Sequence, residues 1–92
     1  MKEIECYISG KVQGVLFRKF AQKRARELDV VGFIQNLDDG TVEVVAQGEE
    51  DQLLEFIEHL KKGPVFAKVD KVDIEWQDSL QDSMTDFTIE HL

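Results

Sequence analysis

The chain has 92 residues, 42% of them hydrophobic and 33% charged, with a net charge of −8. That length suits one domain, 1–92, and a domain so small buries only about 60 to 65% of its unfolded surface, so any site should be shallow rather than an internal cofactor cavity. The charge argues against nucleic acid or an anionic membrane as partner, since affinity for polyphosphates comes mainly from Lys and Arg. The longest apolar run, Val30 to Ile34, is far short of a membrane span, and Met1-Lys2-Glu3-Ile4-Glu5 has no apolar leader core, so a cytoplasmic protein is expected. Cys6 has no partner for an internal disulfide, and with only His59 and His91 besides there is no zinc spacing, so no metal is expected.

Residues 3–9 alternate, with Ile4, Cys6 and Ile8 on one face and Glu3, Glu5 and Tyr7 on the other, which predicts a half-buried strand. Gly10 to Gly14 interrupts the alternation. From Phe17 the positions Phe17, Ala21, Ala25 and Leu28 recur at helical spacing, predicting a helix to about Asp29. A second strand over Val30 to Gln35 leads into Asn36-Leu37-Asp38-Asp39-Gly40, a turn with the Asp-Gly hairpin signal, and a third follows on Val42, Val44 and Ala46. Glu49, Glu50 and Asp51 open a second helix at the end where the dipole favours carboxylates; Leu53, Leu54, Ile57 and Leu60 form its apolar stripe, and Gly63-Pro64 stops it. Val69 to Trp76 is a fourth strand with Val72, Ile74 and Trp76 facing in. Gln77 to Met84 is a polar connection, and Phe87 and Ile89 mark a short last strand.

Two helices bury their apolar stripes by packing on a sheet. The expected architecture is an α+β two-layer sandwich, ferredoxin-like βαββαβ with a short extra C-terminal strand and a mainly antiparallel sheet covered on one face by two helices. The right-handed crossover makes the first two strands parallel, so their C-terminal ends share one sheet edge. With the third strand between them, these ends are about 10 Å apart, twice the interstrand spacing. Arg18 and Asn36 can then reach one small ligand.

Charge is distributed unevenly. Between Lys11 and Arg26 lie Lys11, Arg18, Lys19, Lys23, Arg24 and Arg26 with no acid, a segment of +6; the other five Lys and Arg stand against all nineteen Asp and Glu, −14. Lys19, Lys23 and Arg26 form one helical stripe, a solvated face that also focuses a small anion toward the start of the segment. No Ser-His-Asp set has usable spacing, His59 and His91 are isolated, and the acidic clusters read as helix-start and turn features. General acid-base catalysis therefore has no convincing candidate.

Anion binding has one. Gly10-Lys11-Val12-Gln13-Gly14-Val15-Leu16-Phe17-Arg18 enters a helix N-terminus, where unpaired N–H groups make a ready anion site; Gly14 permits unusual backbone geometry and Arg18 supplies a planar fork for phosphate oxygens. A cation at the positive end of a helix dipole is locally unfavourable, which itself suggests an anionic partner. The loop is neither a Walker loop nor a dinucleotide fingerprint.

Ile8 to Arg18 resembles the first signature of the acylphosphatase family, and Gly32-Phe33-Ile34-Gln35-Asn36 with Gly40, Val42 and Gly48 resembles the second. Ile34 departs from the Ala or Val more usual there. Gly63-Pro64, Ala67, Val69, Phe87 and Ile89 are also similar to the family, so the likeness spans nearly the whole chain. It implies hydrolysis of acyl phosphates to carboxylate and inorganic phosphate without metal or cofactor. By the same resemblance, Arg18 and the backbone amides of Gln13, Gly14, Val15, Leu16, Phe17 and Arg18 hold the phosphoryl group, and Asn36 positions the attacking water. Inorganic phosphate or sulfate is then expected to compete, and a stand-alone monomer is expected. The alternative is a non-enzymatic ferredoxin-like module that binds an anion or a protein, because the fold hosts unrelated functions.

Overall fold

The computed structural model describes residues 1–80 and 82–91; Gln81, in the polar connection, and Leu92 lie outside the described residues. In chain order the elements are β1 (Lys2–Lys11), α1 (Phe17–Glu27), β2 (Val31–Asn36), β3 (Val42–Gly48), α2 (Glu50–Lys62), β4 (Lys68–Gln77) and β5 (Phe87–Glu90). They form one sheet in the order β4-β1-β3-β2-β5, antiparallel throughout except for the parallel pair of β2 and β5. Helix α1 packs over β2 and β5, and α2 over β3 and β4. The expected α+β sandwich is therefore present, and β3 separates β1 from β2, so the loop after β1 and the turn after β2 leave the same edge.

The core is the meeting of alternating strand positions with two helical stripes. Ile4, Cys6, Ile8, Ile34, Val42, Val44 and Ala46 face Phe17, Ala21, Ala25, Leu53, Phe56 and Leu60, all essentially inaccessible. Burial pushes the Cys6 thiol up to about 12, as suits an inert core residue. In α2 the inward stripe is Leu53, Phe56, Ile57 and Leu60; Leu54, expected inside, is half exposed. Spacing alone admits either residue, and Phe56 wins because its ring meets Phe87 edge-on at 5.6 Å. Trp76, also expected inside, lies near the end of edge strand β4 and remains 39% exposed, with the Lys2 ammonium 6.0 Å from its ring centroid.

β1 runs past the glycine that breaks its alternation. The register shifts between Ser9 and Gly10, after which Gly10 and Lys11 pair with Val69 and Lys68. Gly10 has φ +123°, and a Cβ there would sit 2.2 Å from the Lys68 carbonyl oxygen, so only glycine allows β4 this close.

The uncovered sheet face is acidic. Glu5 lies directly opposite Glu75, and Tyr7 donates its hydroxyl to Glu43 at 3.1 Å. Partial burial raises the pKa of Glu5 above its ordinary value, with Glu43, Glu75 and Glu3 adding to the shift. A folded-state pKa above the unfolded one means the native state binds the extra proton, so this group's contribution to stability falls as pH rises through the interval between the two values. Glu5→Gln is expected to stabilise the fold by roughly 0.5 kcal/mol at pH 7 and by nothing at about pH 3, where both states are protonated. Urea midpoints of both proteins at the two pH values check this; an equal gain at the lower pH contradicts it.

Candidate active site

Two buried side chains, Val12 and Phe17, anchor the loop between β1 and α1 at its ends. Between them Gly14 has φ +73° and Leu16 φ +64°, and changes of this kind curl successive N–H groups around a concavity. Leu16 is the N-cap of α1, in the left-handed region and without a side-chain cap, and the first turn contains no acid. Among the described residues, the N–H groups from Gly14 to Arg18 meet no backbone acceptor. The positive end of α1 is thus open toward the sheet edge, with Arg18 in its first turn.

Asn36 ends β2 beside this loop. Its Oδ1 is buried and has no hydrogen-bond partner among the described residues. An unpaired buried amide oxygen costs about 1 to 3 kcal/mol, a penalty usually removed by water or ligand. Gln13 sets the distance between the two segments: its Nε2 donates to the carbonyls of Leu37 at 2.8 Å and Thr41 at 2.9 Å. The turn it grips is closed by Leu37 N–H to the Thr41 carbonyl and by Thr41 N–H and Oγ1 to Asp39 Oδ1, bonds that hold the Asp39 carboxyl below its ordinary range, the hydroxyl first.

Arg18 lies where two clefts meet. One, of about 300 Å³, is lined by Val12, Gly14, Leu16, Phe17, Arg18, Lys19, Asn36, Ile89 and His91. The other, about 420 Å³ and polar, is lined by Gln13, Arg18, Asn36, Leu37, Asp38, Glu90 and His91. Arg18, Asn36 and His91 belong to both. The Arg18 Nη1 lies 3.3 Å from His91 Nδ1, and because a guanidinium only donates, that ring nitrogen accepts.

Of the residues singled out from sequence, Gly14, Leu16, Phe17, Arg18 and Asn36 share one cleft, and Gln13 lines the other while its side chain ties the loop to the turn. The Val15 side chain packs against the core, leaving only its backbone for the site. Val12, Ile89 and His91 are not expected from the sequence as site residues, and Lys19 is expected only as part of the basic stripe. His91 had been set aside as isolated, yet β5 runs parallel to β2 and carries it to the same edge as Asn36. The alternation of Phe87, Ile89 and His91 was the available signal. The basic segment is also partly neutralised: Arg24 pairs with Glu27 at 2.7 Å, and Arg26 grips Asp86 with two bonds of 3.1 and 2.9 Å. Both carboxyls fall below their usual range through these hydrogen bonds. Lys19, which lines the apolar cleft, remains beside Arg18 as the second cation at the site. Among the described residues no cluster of three His, Cys, Asp or Glu is arranged to hold a metal, and no helix is long and apolar enough to cross a membrane.

A loop leading into a helix N-terminus, with one Arg in its first turn and an Asn whose Oδ1 has no partner among the described residues, shares the edge of a ferredoxin-like sandwich. Comparison makes the assignment specific. The acylphosphatase family model matches residues 4–89. An acylphosphatase of Methanococcoides burtonii is 47% identical over 85 residues, covering 92% of this chain and 88% of the relative. The crystal structure of acylphosphatase from Bacillus subtilis superposes with a TM-score of 0.94 at 37% identity, covering 98% of this chain and 99% of that one. T. kodakarensis HypF also contains the fold, with a TM-score of 0.87 at 32% identity, over 100% of this chain and 12% of its own. The chain belongs to the acylphosphatase family.

Proposed function

We propose that the chain hydrolyses the carboxyl-phosphate bond of acyl phosphates, with Arg18 and the backbone amides of residues 13–18 holding the phosphoryl group and Asn36 positioning the attacking water. The observation that carries the division of labour is the buried Oδ1 of Asn36, an acceptor with no donor among the described residues, on a side chain that lines both clefts where they meet at Arg18. A water bound there donates one proton to Oδ1 and turns a lone pair toward phosphorus.

The chemistry asks little more of the protein. The water oxygen forms a bond to phosphorus as the bond from phosphorus to the carboxyl oxygen breaks; the electron pair leaves with the carboxylate, and the water's proton passes to the phosphate formed or to solvent. The transition state is loose, with charge spread over three equatorial oxygens, so positioning and electrostatic stabilisation dominate. N–H donors at a helix start and a guanidinium fork match those oxygens without reorganising. The leaving carboxylate has a conjugate acid of pKa about 4 and departs unprotonated, whereas a phenolate or alkoxide needs an acid. So weak a base asks for no metal and for no proton from His91, which lines both clefts with Nδ1 accepting from Arg18. Inorganic phosphate, as product, competes for the same cradle, and sulfate does so by shape and charge.

The same reading treats residues 1–92 as one domain acting as a cytoplasmic monomer, supported by the free, buried Cys6 and the net charge of −8, which opposes self-association. Hydrolysis of benzoyl phosphate in EDTA, followed beside p-nitrophenyl phosphate, tests the activity. Rapid loss of the acyl phosphate with the ester left nearly intact is expected. Equal rates on both would overturn the argument from the leaving group, and turnover of neither would overturn the hydrolase.

A further inference from the structure

Two clefts meeting at one anion site create an asymmetry that in-line phosphoryl transfer must use, because the attacking water and the leaving oxygen lie on opposite sides of phosphorus. The polar cleft carries Asp38 and Glu90 on its wall. Two carboxylates repel a departing carboxylate and favour water. The other cleft presents Leu16 and Ile89 above the buried Val12 and Phe17, with Lys19 also on its wall, and its volume of about 300 Å³ accommodates a phenyl-sized group.

Leu16 adds a second, independent observation in that cleft. It adopts φ +64° although it is not glycine, and its side chain is 71% exposed. A bulky residue in the left-handed region is strained, and an exposed leucine leaves apolar surface in water; both costs fall on one side chain beside the phosphate cradle. The core gains nothing from it, since Val15 and Phe17 on either side supply the packing. A substrate that covers Leu16 recovers buried apolar area on binding.

We infer that Leu16, with Ile89, forms the acyl-binding surface of the site, and that its substrates are acyl phosphates with an apolar, uncharged acyl group. The acyl group lies in the apolar cleft and water enters from the polar one. This assignment rests on the acyl phosphate hydrolysis proposed above.

The test compares kcat/KM for benzoyl and acetyl phosphate in the wild type and in Leu16→Gly, together with butyryl and succinyl phosphate, which share a four-carbon chain and differ by a terminal carboxylate. Glycine is at ease at φ +64°, so the variant keeps the loop geometry and the fold. Intrinsic reactivity and any effect common to both substrates cancel when the benzoyl-to-acetyl ratio of the variant is divided by that of the wild type. That ratio is expected to fall about tenfold in Leu16→Gly, the scale of discrimination a small apolar contact provides, and wild type is expected to prefer butyryl over succinyl phosphate. An unchanged ratio overturns the acyl-binding role of Leu16, and preference for succinyl phosphate assigns selection to Lys19 instead. Both failures leave the hydrolase intact, whereas a wild type that hydrolyses none of the four removes the hydrolase and this inference together.

Discussion

Arg18→Ala is expected to lower kcat/KM for benzoyl phosphate by about a thousandfold or more, the scale of a guanidinium that stabilises a transferring phosphoryl group. Competition by inorganic phosphate should disappear at the same time, because ground state and transition state use the same fork. The fold should hardly notice. The one side-chain partner of Arg18 among the described residues is His91, and removing a cation from the positive end of α1 relieves a local electrostatic cost. In the wild type, phosphate raises the unfolding temperature by mass action, and in Arg18→Ala that shift should vanish while the ligand-free melting temperature stays within a few degrees. Arg18→Lys restores the charge but not the planar fork and should recover only part of the rate. Phosphate protection that survives Arg18→Ala would mean that the amide cradle binds the anion alone.

Asn36→Ala separates binding from turnover. Loss of a group that positions water in the transition state should lower kcat about 100-fold or more, with phosphate still competing at nearly the wild-type concentration. The same substitution should leave the melting temperature within a few degrees, because Oδ1 has no donor among the described residues and the water it holds is the contact that is lost. A large loss of activity with stability unchanged is the signature of a residue kept for chemistry rather than folding. Near-normal turnover would refute the water-positioning role. A fall in stability would show that the amide is held by contacts other than its oxygen. Asn36→Asp adds a further contrast: the carboxylate is close to Asn in shape but repels an incoming phosphoryl dianion, so its loss should appear in KM as well as kcat.

Much of this was legible from residues alone, and the reason is locality. Alternation in Ile4, Cys6 and Ile8 and helical spacing in Phe17, Ala21 and Ala25 record which side of an element faces the core, whatever that core contains. The Asp-Gly turn, the Gly63-Pro64 stop and the basic loop from Lys11 to Arg18 are likewise short stretches whose chemistry acts within a few residues. From the order of elements the crossover rule puts the ends of β1 and β2 at one edge, which brings Arg18 within reach of Asn36.

What the sequence by itself determined, then, was the order of elements, the sandwich they build and the meeting of Arg18 and Asn36 at one edge of the sheet. Only the tertiary structure decided the rest. It chose Phe56 over Leu54 through a ring 31 positions away, and joined Arg26 to Asp86 across 60 residues. It carried His91 to Arg18, 73 residues earlier, and left Asn36 Oδ1 without a donor among the described residues, in the cleft it shares with the strained, exposed Leu16. These outcomes depend on which atoms meet through space after the sheet closes, and no periodicity along the chain encodes a contact between residues so far apart in it.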